Sequence, residues 1–401
     1  MQAPERFSNL PEYAFPRLRA LLDPIQPGGP AGAEPVAMSL GEPRHPLPDF
    51  LADALARHHA GYAKYPPNEG APELRAAIAD WANRRYGLGE RIDPAHHVFP
   101  LNGTREGLFA ACVALSPERK NGEKPVVLLP NPFYQCYAVA ALTAGAEPIY
   151  VNATAESGHL PDFESIDPTL LARATVAYIC SPANPQGAVA TEDYWRKLLA
   201  LAEKHDFRVF ADECYAEIYR ETPPPGVMQF ADTVDPERVL AFHSLSKRSN
   251  LPGLRSGFCM GGPETIKAMR LLRSYAGAPM PLPAQLAAAE VWAEESHVVA
   301  NRALYAEKYA MADEILGNMP GYMSPEAGFF LWVEVADGET SCVRLWREAG
   351  VKVLPGSYLS RPGSPGAGDG DPGAHYIRAA LVDTKDNVKR GLEAIRDVLT
   401  G

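Results

Sequence analysis

The middle of the chain alternates short apolar runs with longer segments of helical period. The apolar runs are rich in strand-forming residues, end in loop-forming residues, and lie at 125–129, 148–151, 175–180, 208–211, 239–242 and 257–260. Segments with helical spacing fit around them at 104–115, 135–144, 191–205 and 263–274. Strands that are apolar on both faces are typical of a parallel sheet covered by helices. The sequence therefore predicts an α/β fold.

The pattern changes after residue 283. One long helical stretch, 284–316, leads into a second unit with strand-like segments at 329–335, 351–353 and 376–381 and helices at 342–349 and 386–399. The segment before residue 49 is too short to form a domain, so we expect it to pack against this second unit. The predicted domains are a large one at 50–285 and a small one formed by 1–49 and 286–401.

Two segments have the composition of loops. One is 25–35, and the other is the proline- and glycine-rich sequence R-P-G-S-P-G-A-G-D-G-D-P-G-A at 361–374. Segments of this kind contain few residues that can be buried, so we expect 361–374 to be an exposed loop without core-forming residues.

Composition and charge restrict the partners of the protein. Its 401 residues carry a net charge of −11 and contain no lysine- or arginine-rich run, which argues against nucleic acid as a partner. There is no apolar run long enough for a membrane span and no signal-peptide pattern, so we expect a cytoplasmic protein that binds small molecules. The six cysteines stand singly, without metal-ligand spacing, and no metal site is predicted.

Four polar segments follow predicted strands or open a predicted helix. Lys247 closes F-H-S-L-S-K at 242–247, Asp212 closes F-R-V-F-A-D at 207–212, and Asn184 lies between two prolines in S-P-A-N-P-Q-G at 181–187. The fourth segment, N-G-T-R at 102–105, opens a helix with free backbone N–H groups, a phosphate-binding geometry. Taken singly, each also has an ordinary explanation: a surface lysine, a helix-capping aspartate, a proline-rich turn and a capped helix.

Together these segments indicate one site, because ligands of parallel α/β sheets bind where the strands end. A lysine whose pKa is depressed by burial and by neighbouring cations, here Arg248 and Arg255, can form a Schiff base. An aspartate at a strand end can pair with the protonated ring nitrogen of pyridoxal 5′-phosphate (PLP). Tyr215, three residues after Asp212, can reach the same ring.

From about residue 39 to the C-terminus the chain resembles the fold type I PLP enzymes, specifically the class I and II aminotransferases. The motifs that carry the resemblance are G-E-P at 41–43, Y-P-P-N-E-G at 65–70, N-G-T at 102–104, S-L-S-K at 244–247, G-L-R-S-G at 253–257 and Y-I-R at 376–378. The resemblance implies a large domain around a mostly parallel seven-stranded sheet, a small α+β domain, and a homodimer. Gln186 departs from the threonine that is common in the family's N-P-T-G turn.

The resemblance also implies roles for individual residues. Lys247, Asp212 and Tyr215 would be catalytic: Lys247 would bind PLP and move the proton between the substrate and the cofactor, and Asp212 would hold the pyridinium nitrogen. Arg378 would bind the carboxylate of an amino-acid or 2-oxo-acid substrate as a bidentate pair, beside Gly41 and Asn184. The cofactor-binding set would be Tyr65 of the neighbouring subunit, Gly103, Thr104, Arg105, Tyr134, Asn184, Asp212, Tyr215, Ser244, Ser246, Lys247 and Arg255.

Within the family, the run S-K-R-S-N-L-P-G-L-R-S-G-F at 246–258 is most similar to N-succinyldiaminopimelate aminotransferases of lysine biosynthesis. This similarity implies transfer of an amino group from glutamate to N-succinyl-2-amino-6-oxopimelate. The candidates for contact with the succinyl tail are Arg17, Arg44, His45 and Lys64.

Other functions on the same fold remain open from the sequence. They are an aspartate, alanine, aromatic, kynurenine or LL-diaminopimelate aminotransferase, a PLP-dependent carbon–sulfur β-lyase, and a PLP-sensing regulator. A regulator would need a basic DNA-binding extension, but the residues before the matched region are rich in proline rather than basic.

Overall fold

A computed structural model describes residues 4–8, 10–29, 32 and 34–401. The helices are α1 Ala14–Leu22, α2 Leu51–His58, α3 Pro72–Tyr86, α4 Thr104–Leu115, α5 Gln135–Thr143, α6 Pro168–Leu171, α7 Glu192–His205, α8 Leu245–Arg248, α9 Pro263–Ala276, α10 Leu282–Ala293, α11 Ser296–Leu316, α12 Gly338–Ala349 and α13 Lys385–Thr400. None of the helices in this described part is long and apolar enough to span a membrane.

The strands form three sheets. They are β1 Val36–Ala37, β2 Val98–Leu101, β3 Val126–Asn131, β4 Glu147–Asn152, β5 Ala174–Cys180, β6 Arg208–Asp212, β7 Val239–Ser244, β8 Gly257–Gly261, β9 Phe330–Glu334, β10 Val351–Lys352, β11 Leu354–Pro355 and β12 Tyr376–Ala380.

The largest sheet has the order β2-β8-β7-β6-β5-β3-β4. The five strands from β3 to β7 are parallel, whereas β8 is antiparallel to both β7 and β2. This confirms the predicted α/β fold and the mostly parallel seven-stranded sheet. The six strands expected from the apolar runs all form, and β2 is the seventh. Its sequence V-F-P-L contains a proline, which is tolerated because β2 lies at the sheet edge.

The register of the central strands brings their carboxyl ends to one edge. Cys180 of β5 pairs with Asp212 of β6, and Asp212 pairs with Phe242 of β7. Helices cover the sheet on each side, so these strands are buried on both faces. The loops after β5, β6 and β7 therefore start next to one another.

A second sheet with the order β11-β12-β9 is antiparallel. One face packs on α11 and α13 through a core that includes Leu331, Val333 and Ile377. The other face carries Trp332, which belongs to a buried cluster with Leu18 and Leu22 of α1. The N-terminal segment thus packs against this sheet, and β1 pairs with β10.

The predicted single helical stretch at 284–316 is wrong, because the structure contains two helices, α10 and α11. The Glu294 carboxylate interrupts the stretch by accepting the backbone N–H groups of Ser296 and His297 at 2.6 and 3.1 Å. These hydrogen bonds satisfy donors at the start of α11, so a new helix begins there.

The segment 361–374 contains no helix or strand, as predicted for a loop, but the prediction that it is exposed and contributes nothing to the core is wrong, because it lies against the large sheet. Ser364 donates its N–H to the Tyr150 carbonyl, Asn152 donates its N–H to the Ala367 carbonyl, and Ala367 is buried. Because β4 is an edge strand, its outer N–H and C=O groups need partners, and this segment supplies them. Of the other predicted loop, 25–35, residues 30, 31 and 33 lie outside the described residues.

Candidate active site

A cavity of about 450 Å³ lies at the carboxyl ends of β5, β6 and β7, between the large sheet and β12. Most of the site residues predicted from the sequence line it, although they are far apart in the chain. They are Gly41, Thr104, Arg105, Tyr134, Asn184, Asp212, Tyr215, Ser244, Ser246, Lys247, Arg255 and Arg378.

Lys247 lies on the short helix α8, directly after β7, and its side chain reaches into the cavity. Its Nζ donates a hydrogen bond to the Gly41 carbonyl and lies 5.2 Å from the centroid of the Phe329 ring. Burial lowers the pKa of Lys247 to about 8, and the positive charges of Arg378 and Arg255 act in the same direction. An appreciable fraction of this amine is therefore neutral near physiological pH.

Asp212 ends β6 at the floor of the cavity and is buried. Its Oδ2 accepts a hydrogen bond from the Tyr137 hydroxyl at 2.7 Å, and its Oδ1 accepts the Cys214 N–H at 3.3 Å. Burial raises the pKa of Asp212, whereas these two hydrogen bonds lower it. No ion pair to Asp212 forms within the described residues, so a cation bound in the cavity would find an unpaired carboxylate.

Tyr137 is a site residue that the sequence analysis missed. It follows Tyr134 by three residues, at the start of α5, and this spacing puts both side chains on the face of the helix that turns toward the cavity. The ring of Tyr137 stacks on Tyr178 with 4.5 Å between centroids, which fixes the direction of its hydroxyl group. Its spacing of three residues from Tyr134 could have identified it in the sequence. However, Y-Q-C-Y is equally typical of a helix face buried in the core.

Arg378 projects from β12, the central strand of the small sheet, and is buried. Its Nη1 donates to Asn184 Oδ1 at 3.2 Å, and its Nη2 donates to the Ser39 carbonyl at 2.7 Å. Its Nε has no hydrogen-bond partner among the described residues, and its guanidinium lies 4.2 Å from the centroid of the Phe330 ring. Burial lowers the pKa of Arg378 to about 10. A buried cation of this kind, with a free donor, is suited to an anionic ligand.

Asn184 and Tyr215 connect the two sheets at the cavity. Asn184 Nδ2 donates to the Tyr215 hydroxyl at 3.4 Å, while Asn184 Oδ1 accepts from Arg378. Burial raises the pKa of Tyr215 well above its usual value, and the Arg378 charge opposes this rise. Both side chains are thus held in place by neighbours that also line the cavity.

The helix α4 begins at the opposite end of the cavity. Gly103 precedes it with φ +79°, and a Cβ at this position would lie 2.1 Å from Arg255 Nη2, so only glycine allows the arginine to approach. Arg255 Nη2 donates to the Asn102 carbonyl at 3.1 Å. Ser246 donates its N–H to Ser244 Oγ at 3.0 Å, and Ser244 Oγ lies 2.9 Å from Ser246 Oγ.

This end has the chemistry of a phosphate site: a helix N-terminus, two hydroxyl groups and a guanidinium group. Gly103 does not line the cavity itself but permits the approach of Arg255. Arg105 Nε donates to the Tyr134 hydroxyl, which ties these two predicted cofactor residues to each other at the rim.

The remaining predicted residues lie elsewhere. Tyr65 is fully exposed and does not line the cavity, and neither do the four candidates for the succinyl tail. Arg17 pairs with Glu339, Arg44 pairs with Asp383, His45 lies 2.6 to 2.7 Å from Lys308 and Asn301, and Lys64 is exposed. The chain leaves the cavity after Glu42, so the position of Arg44 and His45 next to the G-E-P motif does not bring them into it.

The cavity as a whole fits PLP. The unpaired Asp212 suits its cationic ring nitrogen, Lys247 suits its aldehyde, and the α4 end suits its phosphate group. These three features come from different strands, yet they line one cavity.

Comparison with known proteins identifies the family. The model for "Aminotransferase class I and II" matches residues 33–395. The LL-diaminopimelate aminotransferase of Dehalococcoides mccartyi is 32% identical over 400 residues, covering 98% of this chain and 97% of that protein. The corresponding enzyme of Halothermothrix orenii is 28% identical over 407 residues, covering 99% and 98%.

Solved structures agree with this assignment. A Neisseria meningitidis aminotransferase superposes with a TM-score of 0.92 at 38% identity, covering 98% of this chain and 99% of that one. A Helicobacter pylori aminotransferase has a TM-score of 0.87 at 31% identity, covering 98% and 100%. The chain therefore belongs to the class I and II aminotransferases, and its cofactor is PLP.

Proposed function

We propose that this aminotransferase interconverts N-succinyl-2-amino-6-oxopimelate plus L-glutamate and N-succinyl-LL-2,6-diaminopimelate plus 2-oxoglutarate. The observation that carries the general reaction is the placement of Lys247, Asp212 and Arg378 in one cavity. The similarity of residues 246–258 to N-succinyldiaminopimelate aminotransferases supports the particular substrate. Relatives over nearly the whole chain have names that refer to diaminopimelate.

Lys247 is the proton carrier in this proposal. When bound, PLP supplies the electron sink that stabilises negative charge at the substrate Cα. With PLP bound, Lys247 would accept the Cα proton as a neutral amine and hold it as an ammonium group before giving it up again. Its pKa of about 8 gives a usable population of that form, and a general base works best when its pKa lies near the working pH.

Asp212 and Arg378 orient the reacting molecules from opposite sides. Asp212 would hold the ring nitrogen of PLP as a cation, and the hydrogen bonds from Tyr137 and Cys214 keep its carboxylate in position. Arg378 binds the α-carboxylate through a planar donor group, for which the single ammonium of lysine is a poor substitute. Asn184 links the two sides, since it contacts both Arg378 and Tyr215.

We also propose the division of the chain into a large domain at 50–285 and a small domain formed by 1–49 and 286–401, and a homodimer that shares its active sites. The exposed Tyr65 supports the shared site, because its hydroxyl is free to approach the phosphate end of a second subunit. Tyr62 and Tyr275 are further large, exposed aromatic residues that a second subunit could cover.

A second candidate is transamination of unsuccinylated LL-diaminopimelate. It is favoured by the names of the relatives, which specify this compound. The two candidates require different interactions at the far end of the substrate, since LL-diaminopimelate carries a second free ammonium group there and the succinylated compound carries an amide.

The test is a half-reaction with the purified PLP-bound protein. L-glutamate, N-succinyl-LL-2,6-diaminopimelate and LL-diaminopimelate are added separately, and conversion of the cofactor to its amine form is followed by absorbance. We expect conversion with glutamate and with the succinylated compound. Conversion by LL-diaminopimelate with none by the succinylated compound would establish the second candidate, and conversion by neither would exclude both.

A further inference from the structure

Two buried polar side chains in the cavity wall have no hydrogen-bond partner. His159 is 7% exposed and Gln186 is 3% exposed, and both line the cavity. Within the described residues, His159 Nδ1 is buried without a partner, and no hydrogen bond reaches the Gln186 carboxamide. Buried polar atoms are almost always satisfied, so the unpartnered His159 Nδ1, beside a Gln186 carboxamide that is open to the cavity and makes no hydrogen bond, points to a ligand.

The backbone holds His159 in an unusual conformation. It has φ +60°, and its N–H donates to the Thr154 carbonyl at 2.7 Å. Ser157 closes the same turn, because its hydroxyl oxygen accepts the Thr154 N–H and its hydroxyl donates to the Leu160 carbonyl. A left-handed conformation costs free energy for a histidine, and the hydrogen bonds of this turn offset that cost while the ring is directed to the cavity wall.

His159 and Arg378 are related through a shared neighbour on β12, Tyr376. The His159 ring lies 6.1 Å from the Tyr376 ring, centroid to centroid. Tyr376 and Arg378 are two residues apart on β12 and share a face, so their Cα atoms lie about 7 Å apart. His159 therefore contacts the side chain next to Arg378 on this face of β12, and both residues line one cavity, so a substrate held at Arg378 by its α-carboxylate would approach His159 with its side chain.

We propose that His159 and Gln186 form a subsite that hydrogen bonds the distal acyl amide of a long α-amino-acid substrate. This inference rests on the proposed function, and it names residues that distinguish a long substrate from glutamate. An acyl amide offers one acceptor and one donor, which complements a carboxamide and a neutral imidazole. Burial lowers the pKa of His159, consistent with a neutral ring.

The positions of the acidic residues in the cavity wall favour a substrate whose distal nitrogen is acylated over one whose distal nitrogen is a free ammonium group. Among the described residues, Glu42 and Asp212 are the acidic residues that line the cavity. Asp212 already accepts hydrogen bonds from Tyr137 and Cys214 at the end of β6. Glu42 acts on Lys247, whose pKa it raises. The charges of Glu156 and Glu334 reach the His159 ring, but neither residue lines the cavity, so a second ammonium group placed at His159 and Gln186 would find no carboxylate in the cavity wall.

The test compares His159→Phe, His159→Asn and Gln186→Thr with the PLP-bound wild-type protein. Phenylalanine keeps an aromatic ring but removes both nitrogens. Asparagine tolerates positive φ, so it separates backbone strain from the loss of the imidazole. Threonine is the common family residue and is too short to replace the glutamine amide. His96→Asn is the matched control, because His96 is exposed and does not line the cavity.

The readouts are KM and kcat for N-succinyl-LL-2,6-diaminopimelate and for L-glutamate. We expect each subsite variant to raise KM for the succinylated compound roughly 10-fold or more, as for the loss of a buried hydrogen bond, with a much smaller change for glutamate. The His96→Asn variant should match the wild type. Equal KM changes for both substrates, or no change for the long one, would overturn the subsite.

A binding measurement separates this inference from the proposed function. N-succinyl-2-aminopimelate lacks the reacting amino group and cannot be transaminated, so its affinity is measured by calorimetry without turnover. Tight binding to the wild type that weakens in the His159 and Gln186 variants supports the subsite, even if the half-reaction excludes the proposed substrate. Unchanged binding in those variants overturns it, even if the succinylated compound is turned over.

Discussion

The two ends of the cavity differ in how their polar groups are satisfied. At the end formed by the large sheet, Ser244 caps the Ser246 N–H and Asp212 accepts the N–H of Cys214, each within two residues along the chain. At the end formed by β12, Arg378 Nε and His159 Nδ1 lack partners among the described residues. At the first end, side chains are held by hydrogen bonds to nearby backbone N–H groups. At the second end, polar atoms have no protein partner and could bind a ligand.

This difference separates the cofactor from the substrate. A cofactor that remains bound is stabilised best by polar groups that are already oriented, because the protein then rearranges little around it. A substrate that enters and leaves can supply missing hydrogen bonds itself while it is bound. We expect substitutions at the first end to abolish chemistry, and substitutions at the second end to change substrate affinity.

The largest effect is expected for Lys247→Ala. This change removes the amine that binds PLP and carries the proton, so turnover should fall by several orders of magnitude and the absorbance of lysine-bound PLP should disappear. Lys267→Ala, on the exposed surface of α9, is the control. Activity equal to that of the wild type in Lys247→Ala would refute the proposed chemistry.

Arg378→Ala is expected to weaken substrate binding at the end of the cavity formed by β12. Losing a buried charge pair costs about 2–5 kcal/mol, which corresponds to roughly 30- to 5,000-fold weaker binding of glutamate and 2-oxoglutarate. PLP affinity should change far less. Arg378→Lys should recover only part of the loss, because it cannot form the bidentate pair. Arg390→Ala, exposed on α13, serves as control. If PLP binding fell as much as substrate binding, the two ends would not be separate.

The same difference explains what the sequence could predict. Asp212 ends one strand of the parallel sheet, and Asn184 and Lys247 follow its two neighbours. Neighbouring parallel strands end at one edge, so the order of the apolar runs in the sequence predicts that these three residues lie close together. Tyr137 lies close to a predicted residue, but its sequence context does not distinguish it from the helix core. Most of the predicted cofactor residues in fact line the cavity.

The substrate end depends on contacts between distant parts of the chain. His159 reaches the cavity only because the loop after β4 turns back onto Tyr376 of the small sheet. His159 stands in no recognisable motif, and Tyr376 is far from it in the sequence. In contrast, Arg44 and His45 follow a motif directly but contact Asp383 and Asn301 instead. Sequence proximity to a motif is therefore a weak guide at this end.

Tyr137→Phe tests whether the first end is organised in advance. The change removes the hydroxyl that donates to Asp212 while keeping the ring stacked on Tyr178. A hydrogen bond to a charged group contributes about 1.5–3 kcal/mol, so kcat should fall roughly 10- to 150-fold. Losing this donor raises the pKa of Asp212, so the acid limb of the pH profile should move to higher pH. A purely structural defect would lower activity without moving that limb.

The smallest expected effect is on the pKa of Lys247, which the charge of Arg378 at the other end of the cavity lowers. Its pKa of about 8 results first from burial and then from the charges of Arg378 and Arg255. Because only the neutral amine could condense with the PLP aldehyde, with loss of water, the rate at which PLP-free protein binds PLP should rise about tenfold per pH unit up to about pH 8 and then level off.

Arg378→Ala should shift this break to higher pH, because it removes a positive charge that favours the neutral amine. The measurement is the second-order association rate between about pH 6 and pH 9, followed by absorbance in both proteins. A break at the same pH in both would show that the Arg378 charge does not reach Lys247. The separation of the two ends would then be complete, with burial alone setting the pKa of the lysine.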